Sequence, residues 1–115
     1  MSDSKQISFD DFLNVELRVG TVVECRPNAK ARVPALVLQV DFGPELGQRT
    51  SSAQLTQNYS VESLVGRQVV CVMNFEPKRV AGVKSEVLVL GALDDERGTV
   101  LVAVEREVAN GTRIA

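Results

Sequence analysis

Histidine and tryptophan are both missing from this 115-residue chain. Without histidine the commonest general base and the commonest metal ligand are gone together, which excludes His-based triads and His-bearing zinc sites. Cysteine occurs only at Cys25 and Cys71, too far apart for a CxxC redox or ligand spacing. In strand-like surroundings two buried thiols are the plain expectation, with a disulfide open only if the fold brings the strands together. No apolar run approaches membrane-spanning length. The N-terminus, Met1-Ser2-Asp3-Ser4-Lys5-Gln6, lacks the apolar stretch of a secretory signal, so a cytoplasmic protein without membrane insertion is expected. An excess of charge of either sign is also lacking: 13 Lys and Arg against 15 Asp and Glu leave a formal net charge of -2, and any nucleic-acid contact must therefore be local. No metal or cofactor site is expected.

What is present is the patterning of one small β domain. A chain of this length holds one core comfortably and two with difficulty, and it contains no repeat or linker. A single domain over residues 1–115, with its core at about 12–105, is expected. Ser8 with Asp11, followed by Phe12 and Leu13, reads as a short N-capped helical turn placed as a lid. Val15 to Cys25 reads as a strand with a bulge or sharp coil at Gly20, where a side chain would not fit. Pro27 to Pro34 is a loop carrying Lys30 and Arg32, able to reach a ligand. In Leu36–Phe42 the residues Leu36, Leu38, Val40 and Phe42 share one face, while Gln39 and Asp41 take the other.

Gly43 to Gly47 is a turn, and Arg49 to Gln54 a polar strand whose hydroxyls could line a groove. Ser60 to Gly66 carries an N-cap and a C-terminal glycine, marking a brief helical connector. Arg67 to Asn74 alternates with apolar residues on both faces, Val69, Cys71 and Met73 against Val70 and Val72. Glu86–Leu93 and Val100–Val104, joined by the hairpin-like Asp94–Gly98, complete the strands. Short strands with Gly-rich turns and almost no helix predict an all-β fold, a small five-stranded OB-type barrel with short flanking helical turns and terminal extensions. Beyond the last strand, Val108 and Ile114 need burial against the barrel or a second subunit.

The chemistry concentrates between Gly66 and Glu86, where Arg67, Lys78, Arg79 and Lys84 outnumber the acids Glu76 and Glu86. Such a patch could seat phosphates, or it could be the charged face of a solvated loop. Asn74, at a strand end, could read a base edge or cap its own turn. Ser85 and Glu86 do not make a nucleophile and its base, because adjacent strand residues point to opposite faces and no oxyanion-hole glycines accompany them. Hydrogen bonding is the better role for both. Of the few aromatic residues, Phe75 and Tyr59 are the candidates for base-stacking platforms, although a barrel this poor in rings has use for them inside.

Three pieces carry a family resemblance: Glu16-Leu17-Arg18-Val19-Gly20, Leu64-Val65-Gly66-Arg67, and Asn74-x-x-Pro77-Lys78-x-x-x-Gly82-x-x-Ser85-Glu86-x-x-x-Leu90. They resemble the tRNA-binding domain family appended to some aminoacyl-tRNA synthetases. Asp41 to Gly47, Ser51-Ser52-Ala53-Gln54 and Val104-Glu105-Arg106-x-Val108-x-Asn110-Gly111 are similar to its CsaA-type branch of export-related chaperones. The resemblance implies an OB-fold homodimer whose terminal elements help form the interface, without catalytic activity. It implies two ligand classes, tRNA and unfolded precursor polypeptides delivered to the secretion ATPase SecA. By motif, the RNA-binding positions fall on Asn74, Lys78, Ser85 and Glu86, with Arg79 nearby and Lys84 as an added cation. Two departures stand out: Glu16 replaces the family's usual Asp, and Val87-Leu88 replace the Gly-Met pair common after Ser-Glu, a change shared by the CsaA-like members.

Overall fold

The computed structural model describes residues 4–115, so Met1, Ser2 and Asp3, where the absence of a signal is read, lie outside the described residues. The first element, α1, spans Phe9–Leu13. Its start is set by a reciprocal cap: Ser8 Oγ accepts from Asp11 N and the Asp11 carboxylate accepts from Ser8 N, both at 3.1 Å, which satisfies two amide donors that a helix start leaves open.

Strand β1, Leu17–Pro27, is long enough to serve three neighbours. Its first half pairs with β4 (Gln68–Val72), its second with β2 (Leu36–Asp41), and Leu17 and Arg18 also pair with the C-terminal β10 (Arg113–Ile114). The register of β1 slips between Val22 and Glu24. The bulge is therefore there and not at Gly20, as the glycine suggests. Gly20 is nonetheless where a side chain would not fit, because a Cβ on it would come within 2.6 Å of Val40 and 2.8 Å of the Phe42 ring.

After β2 the chain turns at Gly43–Gly47 into β3, Gln48–Ala53. The connector helix α2, Val61–Leu64, is capped by Ser60 with Ser63 and released by Gly66 at φ +92, a left-handed conformation that glycine adopts without strain. Next come β4, β5 (Lys78–Val80), β6 (Val83–Ser85) and β7 (Leu88–Val89), then the hairpin β8 (Gly91–Asp94) with β9 (Gly98–Leu101). The main sheet runs β3-β2-β1-β4-β7, and β3 meets the chain at residues 85–87 through Glu86 N donating to Thr50 O at 2.7 Å. This nearly closed five-strand antiparallel barrel is an OB-fold.

Two expected strands are redrawn. The stretch Glu86–Leu93 breaks into β7, which stays on the barrel beside β4, and β8, which leaves it to pair with β9. Gly91 sits at this departure, where any Cβ would lie 2.6 Å from Thr99. The last strand of that hairpin is Gly98–Leu101 and not Val100–Val104.

The alternation in β4 explains the two cores. Val69, Cys71 and Met73 point into the barrel with Leu38, Val40, Phe42 and Leu64. Val70 and Val72 point outward, where with Leu17 and Val19 they form a second cluster covered by Phe12, Val15, Leu90, Val104, Val108 and Ile114. The terminal apolar residues thus find their burial on the barrel's own outer face. They are only partly buried there, so each adds less than the roughly 1.5–3 kcal/mol of a fully buried aliphatic side chain. The terminal segments are held by backbone bonds too, Gly111 N to Val19 O at 2.7 Å and Val19 N to Thr112 O at 2.9 Å.

Candidate nucleic-acid interface

Residues 78–85, expected as a basic loop, form a β-hairpin in which Lys78 faces Ser85, Arg79 faces Lys84 and Val80 faces Val83. Ala81 and Gly82 close it with φ of 47° and 83°, the doubly left-handed two-residue turn that matches strand twist. Three-residue strands are too short to show a period of two, and alanine is an unusual residue for the first turn position. That is why the pattern reads as a loop. Ala81 is the one non-glycine residue with positive φ among those described, a local strain of the kind that concentrates at functional segments.

Like charges directly opposite one another weaken a strand pair, yet Arg79 and Lys84 stand in register. None of the ion pairs among the described residues engages Lys78, Arg79 or Lys84. Arg79 Nη1 donates to Gly82 O at 3.2 Å, which holds the guanidinium at the hairpin tip. Beside the hairpin runs a groove of about 280 Å³ whose lining mixes Phe75, Val80, Val87 and Leu88 with Lys78, Ser85 and the acids Glu76 and Glu86, with Ser52 of β3 at its wall. The hydroxyl-rich strand therefore does contribute to a groove.

Phe75 is 56% exposed and Leu88 48%. Ring scarcity argues for Phe75 in the core, and it stands outside because the chain leaves β4 at Met73 and reaches the hairpin across the surface. Tyr59 follows the interior reading: its hydroxyl accepts from Leu101 N at 3.0 Å, it packs on the barrel core, and the Arg67 guanidinium lies 5.5 Å over its ring. The two positions that depart from Gly-Met both border the groove, Val87 from the buried core and Leu88 from the exposed side.

The other three motif residues turn toward the protein. Ser85 Oγ accepts from Ser52 N at 3.1 Å, and Glu86 Oε1 accepts from Thr50 N at 3.0 Å. The expectation that these neighbours point to opposite faces does not hold, because β6 ends at Ser85 and the chain bends before β7; both side chains converge on β3. They supply acceptors to two β3 amides that have no partner strand at the barrel's seam. Asn74 Oδ1 accepts from Glu16 N at 3.0 Å and its Nδ2 donates to Asn14 O at 2.7 Å, tying the end of α1 to the barrel. Capping is what Asn74 does here, of a distant segment and not of its own turn.

Of the two thiols expected to be buried, Cys71 is and Cys25 is only partly so, because it lies toward the end of β1; neither is bridged. Burial pushes Cys71 up to about 12, and burial with the nearby Glu62 carboxylate raises Cys25. Among the described residues no three His, Cys, Asp or Glu side chains cluster in a way that could hold a metal, and no helix is long and apolar enough to cross a membrane.

A small barrel that presents cations, an exposed ring and an apolar groove on one loop system is a binding module of the OB class. The profile described as "Putative tRNA binding domain" matches residues 17–113, and the chain belongs to that family. Within it the chain is CsaA-like. It superposes on the crystal structure of a chaperone CsaA from Bacillus anthracis with a TM-score of 0.91 and 50% identity, over 96% of this chain and all of that one. On a CsaA chaperone protein from Picrophilus torridus the TM-score is 0.89 at 37% identity, again over 96% and 100%. Among curated relatives, the methionine--tRNA ligase of Porphyromonas gingivalis is 36% identical over 111 residues, 96% of this chain. The chain spans only 16% of that relative's length.

Proposed function

We propose that this protein binds tRNA, without catalytic activity of its own, through the β5–β6 hairpin and the groove beside it. The observation that carries the reading is the set of hairpin cations, Lys78, Arg79 and Lys84, left without acidic partners next to an exposed Phe75. Cations of this kind engage phosphates, and a ring beside them stacks an unpaired base. Asn74, Ser85 and Glu86 contribute by holding the surface in shape. Family membership and the ligase relatives support tRNA as the nucleic acid.

The likeness to CsaA chaperones supports a further role, capture of unfolded precursor polypeptides in export, with SecA as the receiving partner. The apolar stretch of the groove, Phe75, Val80 and Leu88, suits an extended peptide. A cytoplasmic homodimer using the terminal elements fits this role, since Ile7 and Phe9 in the N-terminal segment are 69% and 72% exposed. A dedicated tRNA-binding protein without chaperone activity is the second reading, favoured by the ligase relatives.

Titrating labelled bulk tRNA, followed by anisotropy at about 50 and 200 mM salt with an unfolded precursor as competitor, tests the assignment. Saturable binding that weakens steeply with salt is expected. Displacement by precursor puts both ligands on one surface, whereas absence of tRNA binding at low salt overturns the main reading. Light scattering of the eluting protein measures the dimer.

A further inference from the structure

Two more cations stand where neither the motif nor the family likeness points, in the loop between β1 and β2. Residues 28–34 carry Lys30 and Arg32 and no acid, and the hairpin residues 78–85 likewise hold three cations and no acid. The two segments are locked together. Asn28, only 7% exposed, places its Nδ2 3.4 Å from both Val80 O and Ser52 Oγ, and its Oδ1 accepts from Lys30 N at 3.2 Å. The loop is therefore ordered against the hairpin.

The approach is closest at Gly82. A Cβ on this residue would lie 3.3 Å from Lys30 Cδ and 3.6 Å from Lys30 Nζ, so the lysine stem rests on the turn and its ammonium reaches the hairpin tip. Arg79 holds the carbonyl of the same glycine. Lys30 and Arg79 thus flank one residue, with Lys84 across the strand pair from Arg79. Arg32 borders a second shallow groove of about 260 Å³ between loop and hairpin, whose lining includes Val80, Ala81, Ser52 and Gln54 and no acid. Gathering cations this way costs repulsion, and no ion pair among the described residues engages Lys30, Arg32, Arg79 or Lys84. A polyanion would offset it.

We propose that the 28–34 loop and the hairpin tip form a second phosphate-binding site, contacted by Lys30 and Arg32, that holds the RNA backbone at a point apart from the Phe75 groove. The inference rests on the tRNA-binding reading and extends it: the groove takes an unpaired base or apolar group, and the tip takes the phosphates of the adjoining chain. The ligand would then be gripped at two places, with shape recognised through their separation.

The test is the salt dependence of tRNA binding for the wild type, for Lys30→Ala with Arg32→Ala, and for Arg106→Ala, which removes a cation ion-paired to Glu105 in the C-terminal segment. The loop double variant should bind about 10-fold or more weakly at 50 mM salt, and its log–log slope should flatten by about 0.7–0.9 for each phosphate that no longer meets a cation. Lys30→Arg should restore most of the Lys30 share, and thermal melting should show all variants folded. An unchanged slope in the loop variant, or an equal change in Arg106→Ala, overturns the second site while the tRNA reading stands. Failure of the wild type to bind at low salt overturns that reading and this site with it.

Discussion

Of the six expected site residues between Asn74 and Glu86, three carry exposed cations and three spend their side chains on the protein's own backbone. Lys78, Arg79 and Lys84 project from a strained hairpin with no acidic partner, while Asn74, Ser85 and Glu86 spend their side chains on backbone groups of residues 14, 16, 50 and 52. A motif that reads as a single row of ligand contacts is therefore divided between contact and support. The difference teaches that weakened binding on mutation does not by itself identify a contact. Support residues and contact residues should separate once stability and salt dependence are measured together.

The largest separation should come from Lys78→Ala with Arg79→Ala. Affinity for tRNA is expected to fall by more than about 100-fold at low salt, with a slope flattened by about 1.4–1.8, while the melting temperature stays within a few degrees and peptide binding is nearly intact. Equal loss of tRNA and peptide binding would show one shared determinant. Next, Phe75→Ala should weaken binding by about 1–3 kcal/mol by removing the stacking face and leave the salt slope alone. A flattened slope there would mean that the ring acts by placing Lys78.

On the support side, Glu86→Ala should cost about 1–3 kcal/mol of stability, because the Thr50 amide is left without its acceptor at the seam. Urea unfolding measures this, and a variant as stable as the wild type but unable to bind tRNA would turn Glu86 into a contact. Asn74→Ala should have a smaller effect, about 1 kcal/mol, since its partners lie at an exposed segment that water can reach.

At neutral pH the smallest effect is that of Cys71, which emerges only in alkali. Cys71, with an ordinary value of 9.0 raised to about 12, stays protonated in the fold where the unfolded chain ionises. Its contribution is whole below pH 9 and is lost as pH climbs toward 12, by at most about 1.4 kcal/mol per pH unit. Comparing alkaline denaturation of the wild type with Cys71→Ala isolates it, and identical slopes would remove the thiol from the account.

Much of the barrel is legible in the sequence because it depends on repetition. The two-sided apolar alternation of Gln68–Met73 announces a strand covered on both faces, and Ser8 with Asp11 announces the helix cap. The β5–β6 hairpin, the bulge after Val22 and the parting of β7 from β8 are not legible, since each is a single event of a few residues with no period to betray it. Composition misplaces Phe75 because it says how many rings a core can use and not which one the chain leaves outside.

Local order thus comes from the residues themselves: short strands, capped turns, a local excess of cations, and a thiol inventory unsuited to chemistry. These are properties of neighbours in sequence, decided by spacing and by backbone freedom at positions such as Gly66 and Gly82. Tertiary structure alone decided that Ser85 and Glu86 close the seam against β3, that Asn74 fastens α1, and that Lys30 meets Arg79 at one glycine. Each of those joins residues far apart in the chain, and only closure of the barrel brings their hydrogen-bonding and charged groups within reach.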